Sequence, residues 1–177
     1  DAQKQELEAL EYKATRDPLT GVYNKEVIIK KIDKYILGNS QGMHMFMFVD
    51  FDNYKSINDK YGHLKGDKAL VFMINRIKNT FTEGEMIGRI GGDEFIIFAG
   101  NISGMDEAEK KARLLKEALD TTYSSEASVI PISGSIGISI YPKDGLNCEQ
   151  LMERADAAMY NVKRQGKNNY QFYSPVS

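Results

Sequence analysis

The sequence predicts an α+β domain: a mostly antiparallel central sheet flanked by helices. Three observations predict it. Helical and strand patterns interleave along the 177 residues instead of segregating into blocks. The strand run at 43–52 is followed by two helical patterns and then by a reversal within 86–100, which is a crossover followed by a hairpin. The later strand runs are short and separated by single helices, so helices pack onto one sheet.

Each element has a local cause. Residues 1–15 read as a helix, with Leu7, Leu10 and Ala14 at the 3-4 spacing of a short coiled-coil seam. Asp17-Pro18 ends it, because the residue before proline is biased away from helix. Residues 19–23 connect to a helix capped by Asn24 and running to about Leu37. After a turn at 38–42, the strand 43–52 is apolar until it ends in acids. Asn53 is placed to cap a short helix to Tyr61, and Lys65-Gly66-Asp67 opens a longer one to about Phe81. Strands at 86–90 and 94–100 form the hairpin, with Gly91-Gly92 expected to supply positive φ angles at its turn. A helix is expected over 105–123, then a strand ending in Ile136–Ile140 that Pro142 closes. The last helix runs from Cys148 to Gln165 with Gly166 at its end, and 170–173 form a final strand. The chain opens at Asp1 in mid-pattern without an initiator Met. It is therefore expected to be a fragment, with 1–15 a stalk below a missing upstream region and 16–177 one domain.

Composition narrows the function. Hydrophobic residues at 42% and charged residues at 27% suit a globular core. A formal net charge of −2 provides no bulk attraction for nucleic acid or an anionic membrane, so neither is an expected partner. The lone Cys148 excludes an internal disulfide and a cysteine-based zinc cluster, and fits a reducing compartment.

The chemistry concentrates in acids at two strand ends. Asp93-Glu94 sits on the hairpin turn, and Asp50 ends the strand that would pair with it. Three carboxylates on one edge raise one another's pKa unless a cation is present, and a hard divalent cation with oxygen ligands answers that need. Asp52 reads instead as a helper in capping the next helix. On the short helix, Lys55, Asn58, Asp59 and Gly62 share a polar face opposite Tyr54, Ile57 and Tyr61. Asn58 and Asp67 could together read a purine edge, since a carboxylate suits the N1–H and N2–H₂ donors of guanine. Lys163 and Lys167 have two readings: cations favoured at a helix C-terminus, or neutralisers of a triphosphate. His63 follows a glycine in a turn and has two readings, a structural turn role, which is favoured, and contact with substrate.

The ordered motifs carry a resemblance. Asp17-Pro18-Leu19-Thr20-Gly21 with Asn24 comes first, then Asp50 to Asp59, Tyr61-Gly62-His63 and Gly66-Asp67. Arg89 to Phe95, Ser135-Ile136-Gly137-Ile138 and Ala155 to Tyr160 complete the series. From 16 to 173 the chain resembles the GGDEF domain, the catalytic domain of bacterial diguanylate cyclases. The resemblance implies a ferredoxin-like fold, similar to nucleotidyl cyclase and polymerase palm domains. It implies condensation of two GTP into cyclic di-GMP with release of two pyrophosphates, using Mg²⁺ or Mn²⁺. By carry-over, Asp50, the Phe51 carbonyl, Asp93 and Glu94 hold metal, and Asp93 helps activate the 3′-hydroxyl. Asn58 and Asp67 contact guanine, while Lys55, Lys163 and Lys167 contact phosphates. A homodimer, aligned by the stalk, and an upstream sensory or regulatory domain are the implied partners. The implied location is cytoplasmic, including the cytoplasmic part of a membrane-anchored sensor.

Departures are informative. Members subject to product inhibition carry Arg-x-x-Asp where this chain has Thr82-Glu83-Gly84-Glu85, so inhibition through that site is expected to be weak or absent. Lys167 and Lys25 stand where arginine is frequent. The alternatives are a catalytically silent GGDEF module that binds GTP or serves as a dimeric scaffold, a cyclase making a mixed purine dinucleotide, and an unrelated Mg²⁺ enzyme cyclising one GTP. Intact Asp50, Asn58, Asp67, Asp93 and Glu94 argue against the silent module, and Asp67 favours guanine.

Overall fold

The computed structural model describes residues 1–175, so the last two positions of the expected 16–177 domain lie outside the described residues. Its elements are α1 (Ala2–Thr15), α2 (Lys25–Gly38), β1 (His44–Phe51), α3 (Tyr54–Tyr61), α4 (His63–Thr80), β2 (Met86–Arg89) and β3 (Glu94–Ala99). They continue with α5 (Met105–Leu119), β4 (Thr121–Ser125), β5 (Ser128–Ile132), β6 (Gly134–Tyr141), α6 (Cys148–Arg164) and β7 (Asn169–Phe172).

Five strands form one sheet in the order β2-β3-β1-β6-β7. All pairings are antiparallel except β6–β7. Strand β1 lies at the centre, flanked by β3 and β6, which is the expected mostly antiparallel sheet. Its side chains alternate between faces with the period of two that a strand imposes. Met45, Met47, Val49 and Phe51 join the core under α4 and α5, while Phe46 and Phe48 join the core under α2 and α6. Asp50 is the next residue on the α2/α6 face, so the pleat itself aims it toward α6.

Several local readings are corrected. Helix α5 stops at Leu119, and 121–132 form a separate two-stranded hairpin instead of more helix. Ser128, Ile130 and Ile132 are buried while Val129 and Pro131 are exposed, a strand pattern that Pro131 tolerates because the hairpin is all edge. Helix α4 begins at His63, not Lys65; a single residue, Gly62 at φ +88°, separates it from α3. Asn53 precedes α3 in the left-handed region, and its side chain makes no capping bond. Asn24 does cap α2, accepting from the Val27 N–H at 3.0 Å. Helix α1 buries none of its residues, and Leu7 and Leu10 are exposed.

Candidate active site

Two hydrogen-bond ladders bring the acids together. Asp50 of β1 is directly paired with Glu94 of β3 on one side and Ser135 of β6 on the other. The Phe51 N–H donates to the Asp93 carbonyl at 3.1 Å, which ties the metal-candidate backbone to the hairpin turn. The turn glycines are not in the left-handed region, contrary to expectation. At Gly91 the constraint is space, since a Cβ there would stand 3.1 Å from the Glu94 carboxylate.

Arg89 fixes this turn, a role the sequence did not suggest. Its guanidinium donates to the Gly92 carbonyl at 2.7 Å, to the Gly91 carbonyl at 3.2 Å and to both Asp17 carboxylate oxygens at 3.2 Å. Asp17 also accepts from the Thr20 hydroxyl and N–H. The pair is largely buried, with Arg89 Nη1 reaching both carboxylate oxygens while Nε and Nη2 serve the turn, so it orients as well as attracts. The Asp17-Pro18 motif thus reaches across the molecule to hold the catalytic-candidate hairpin.

The electrostatics follow from burial. Burial pushes Asp50 up to about 7; Lys163 opposes that rise, and the neighbouring Asp93 and Glu94 charges add to it. Glu94 is also raised, first by burial and then by Asp93 and Asp156. A cation beside these carboxylates would favour their charged forms and oppose that rise. Among the described residues no three of these groups already form a closed ligand set. A Mg²⁺-type ion, which keeps ligand positions for water and phosphate, needs no such cage. The donor set of carboxylates and the Phe51 carbonyl fits a hard cation.

Asp52 is corrected from helix cap to buried anion. Its side chain is 1% exposed and accepts four hydrogen bonds, from Ser133 Oγ, Ser135 Oγ, Lys163 Nζ and the Asn168 N–H. Burial would raise its pKa, but the two hydroxyls and Lys163 outweigh that and hold it below the ordinary value. Lys163, on the last turn of α6, lies 3.0 Å from Asp52 and 3.5 Å from Asp50. Lys167 donates to Asn53 Oδ1 at 2.7 Å, which brings it to the start of α3.

The remaining candidates surround this centre. Lys55 is exposed on α3, and His63 is exposed at the first position of α4. Neither shares a hydrogen bond or ion pair with the carboxylates among the described residues. Asn58 packs on Gly66, where any Cβ would overlap its amide oxygen, and so lies against the segment that carries Asp67. That buried Asn58 Oδ1 has no donor. Asp67 borders an apolar groove of about 480 Å³ walled by Leu19, Leu64, Phe72 and Tyr123.

Comparison with known proteins identifies the family. The family model described as "Diguanylate cyclase, GGDEF domain" matches residues 14–169. The chain belongs to the GGDEF domain family. This GGDEF domain is 35% identical over 162 residues to the bifunctional diguanylate cyclase/cyclic di-GMP phosphodiesterase MucR of Pseudomonas aeruginosa, covering 90% of the chain and 24% of MucR. It is 32% identical to that organism's NbdA, named a cyclic di-GMP phosphodiesterase, covering 94% of the chain and 21% of NbdA. The chain thus spans about a fifth to a quarter of those relatives' length. The solved GGDEF domain of TpbB from the same species superposes with a TM-score of 0.85 at 28% identity, covering 90% of this chain and 94% of that one. No helix among the described residues is long and apolar enough to cross a membrane.

Proposed function

We propose that this GGDEF domain is a diguanylate cyclase that condenses two GTP into cyclic di-GMP, releasing two pyrophosphates. The convergence of Asp50, Asp93 and Glu94 beside Lys163 is the observation that carries the reading. In each of two steps a ribose 3′-oxygen bonds to the α-phosphorus of the other GTP, the bond to the β-phosphate oxygen breaks, and pyrophosphate leaves. The 3′-hydroxyl is a poor nucleophile at neutral pH, so its proton needs an acceptor. Asp93 on the rigid turn is that acceptor. Bound Mg²⁺ or Mn²⁺, held by Asp50, Glu94, Asp93 and the Phe51 carbonyl, would supply charge neutralisation and activation of the hydroxyl.

The chain's own groups do the positioning. Lys163, Lys167 and Lys55 neutralise the triphosphate, aided by the first-turn N–H groups of α3, which no side chain caps. Asn58 and Asp67 select guanine, with Asp67 at the border of the apolar groove. His63 lies within the same α3–α4 junction and borders the nucleotide. One site holds one GTP, so a two-fold product requires two domains face to face. Helix α1 is read as the stalk that aligns them and links the domain, 16–177, to an upstream sensory or regulatory region. The domain then works in the cytoplasm.

A silent GTP-binding module or dimeric scaffold is the second reading, favoured by the phosphodiesterase name of NbdA. Product analysis after incubation with GTP and Mg²⁺ separates the two. Cyclic di-GMP is the expected product; GTP bound and returned unchanged, or cyclic GMP, would overturn the proposal.

A further inference from the structure

The buried carboxylate of Asp52 has no place in the metal or nucleotide set, yet it accepts four hydrogen bonds. Its two oxygens are each filled twice: Oδ1 by Ser135 Oγ at 2.6 Å and Lys163 Nζ at 3.0 Å, Oδ2 by Ser133 Oγ at 2.6 Å and the Asn168 N–H at 3.0 Å. These donors come from four separate segments: the β5–β6 connection, β6, the end of α6, and the turn before β7. A helix cap needs none of them.

The turn it holds is under backbone strain. Gly166, Lys167 and Asn168 are three successive residues at positive φ, +116°, +65° and +49°. Two of them are not glycine, and such conformations persist only where the surroundings over-determine them. The Asn168 N–H bond to Asp52, the Lys167 N–H bond to the Val162 carbonyl at 3.0 Å and the Lys167 Nζ bond to Asn53 do so.

We infer that Asp52 is a positioning residue for substrate phosphate, acting through Lys163 directly and through Lys167 by way of the 166–168 turn. The inference rests on the diguanylate cyclase reading for its ligand. Lys163 sits between Asp50 and Asp52, closer to the latter. A group that engages Asp50 therefore leaves the ammonium anchored and free to face a phosphate oxygen. Without Asp52, Lys163 would turn wholly to Asp50, and the turn would lose one of its three anchors.

The test combines Asp52→Asn with Lys163→Met. The ligand is guanosine 5′-(α,β-methylene)triphosphate with Mg²⁺, which cannot release pyrophosphate. Binding is followed by calorimetry, and hydrogen exchange at the Asn168 amide is followed in ligand-free protein. Asp52→Asn should weaken the analogue roughly tenfold, the scale of one charge-assisted contact. The loss should be smaller in the Lys163→Met background, and the Asn168 amide should exchange faster. Losses that multiply in full, or unchanged exchange at Asn168, would overturn the inference. Wild-type protein that binds no analogue would defeat the cyclase reading instead, and the exchange result would then decide the role of Asp52 alone. If Asp52→Asn does not fold, Ser135→Ala removes one donor and should move both readouts the same way by less; no movement in either would overturn the inference.

Discussion

Asp50 and Glu94 face each other across adjacent antiparallel strands, as a directly paired couple on β1 and β3. Both carboxyls are raised, and each is raised further by Asp93 on the turn between β2 and β3. The sheet thereby forces acids together that would separate if they were free. Removing one should disable the site and relieve its neighbours. Asp93→Ala or Glu94→Ala should lower cyclic di-GMP formation by about 100-fold or more, the scale of losing an essential electrostatic or acid–base group. Thermal unfolding should stay close to wild type. Retained turnover in Glu94→Ala would remove the metal assignment.

A pH dependence follows from Asp50. Its folded value is about 7 against an ordinary 3.8, so its contribution to stability is fully present below pH 3.8 and is lost as pH rises through 7. Asp52 has the opposite sign: lowered in the fold, it contributes stability above its ordinary value that is lost on acidification. A cation at Asp50 must displace the proton, so apparent Mg²⁺ affinity should be about tenfold weaker at pH 6 than at pH 8. Mg²⁺ should then raise the melting temperature more at pH 8. Equal shifts at both pH values would contradict a metal on Asp50.

Glu85 and Lys111 occupy the region where inhibited family members carry the Arg-x-x-Asp pattern. They form an ion pair at 2.8 Å with side chains 4% and 13% exposed. Thr82 has no charge, and Lys111 is already committed to Glu85, so neither of these two positions offers a free cation to a dinucleotide phosphate. Added cyclic di-GMP should barely slow the reaction. Strong non-competitive inhibition would reveal another regulatory surface. Lys111→Met should destabilise the fold by about 3–5 kcal/mol, because it strands a buried carboxylate.

Gly137 lets α6 lie against β6. A Cβ at this position would overlap the Ala155 carbonyl oxygen and the Met159 nitrogen, which are backbone atoms with no freedom to turn aside. Gly137→Ala should cost about 1–3 kcal/mol and lower the melting temperature by about 2–4 °C for each. Because α6 carries Lys163, GTP binding should weaken with it. An unchanged melting temperature would show that α6 can shift freely.

The sheet was legible because burial writes itself into apolar runs, as at Met45–Val49 and Phe95–Phe98. The acids at its edge were legible because they interrupt those runs. The β4–β5 hairpin was not, since Thr121-Thr122 and Pro131 blur the strand pattern and the preceding helix continued into it. Asp52 was misread because its position next to α3 suggested a cap, whereas its partners Ser133, Ser135 and Asn168 are more than eighty residues away. Arg89 escaped notice for the same reason: its partner Asp17 lies seventy-two residues earlier. Local pattern carries the elements, and only the fold reveals such distant pairs.

The most direct test of the central claim is the order of the reaction in enzyme. Initial rates of cyclic di-GMP formation from saturating GTP and Mg²⁺ would be measured across protein concentrations that span dimerisation. Two facing half-sites predict a rate that rises more steeply than first order at low concentration and becomes linear once dimers prevail. A rate strictly proportional to enzyme throughout, in protein shown to be monomeric, would contradict it.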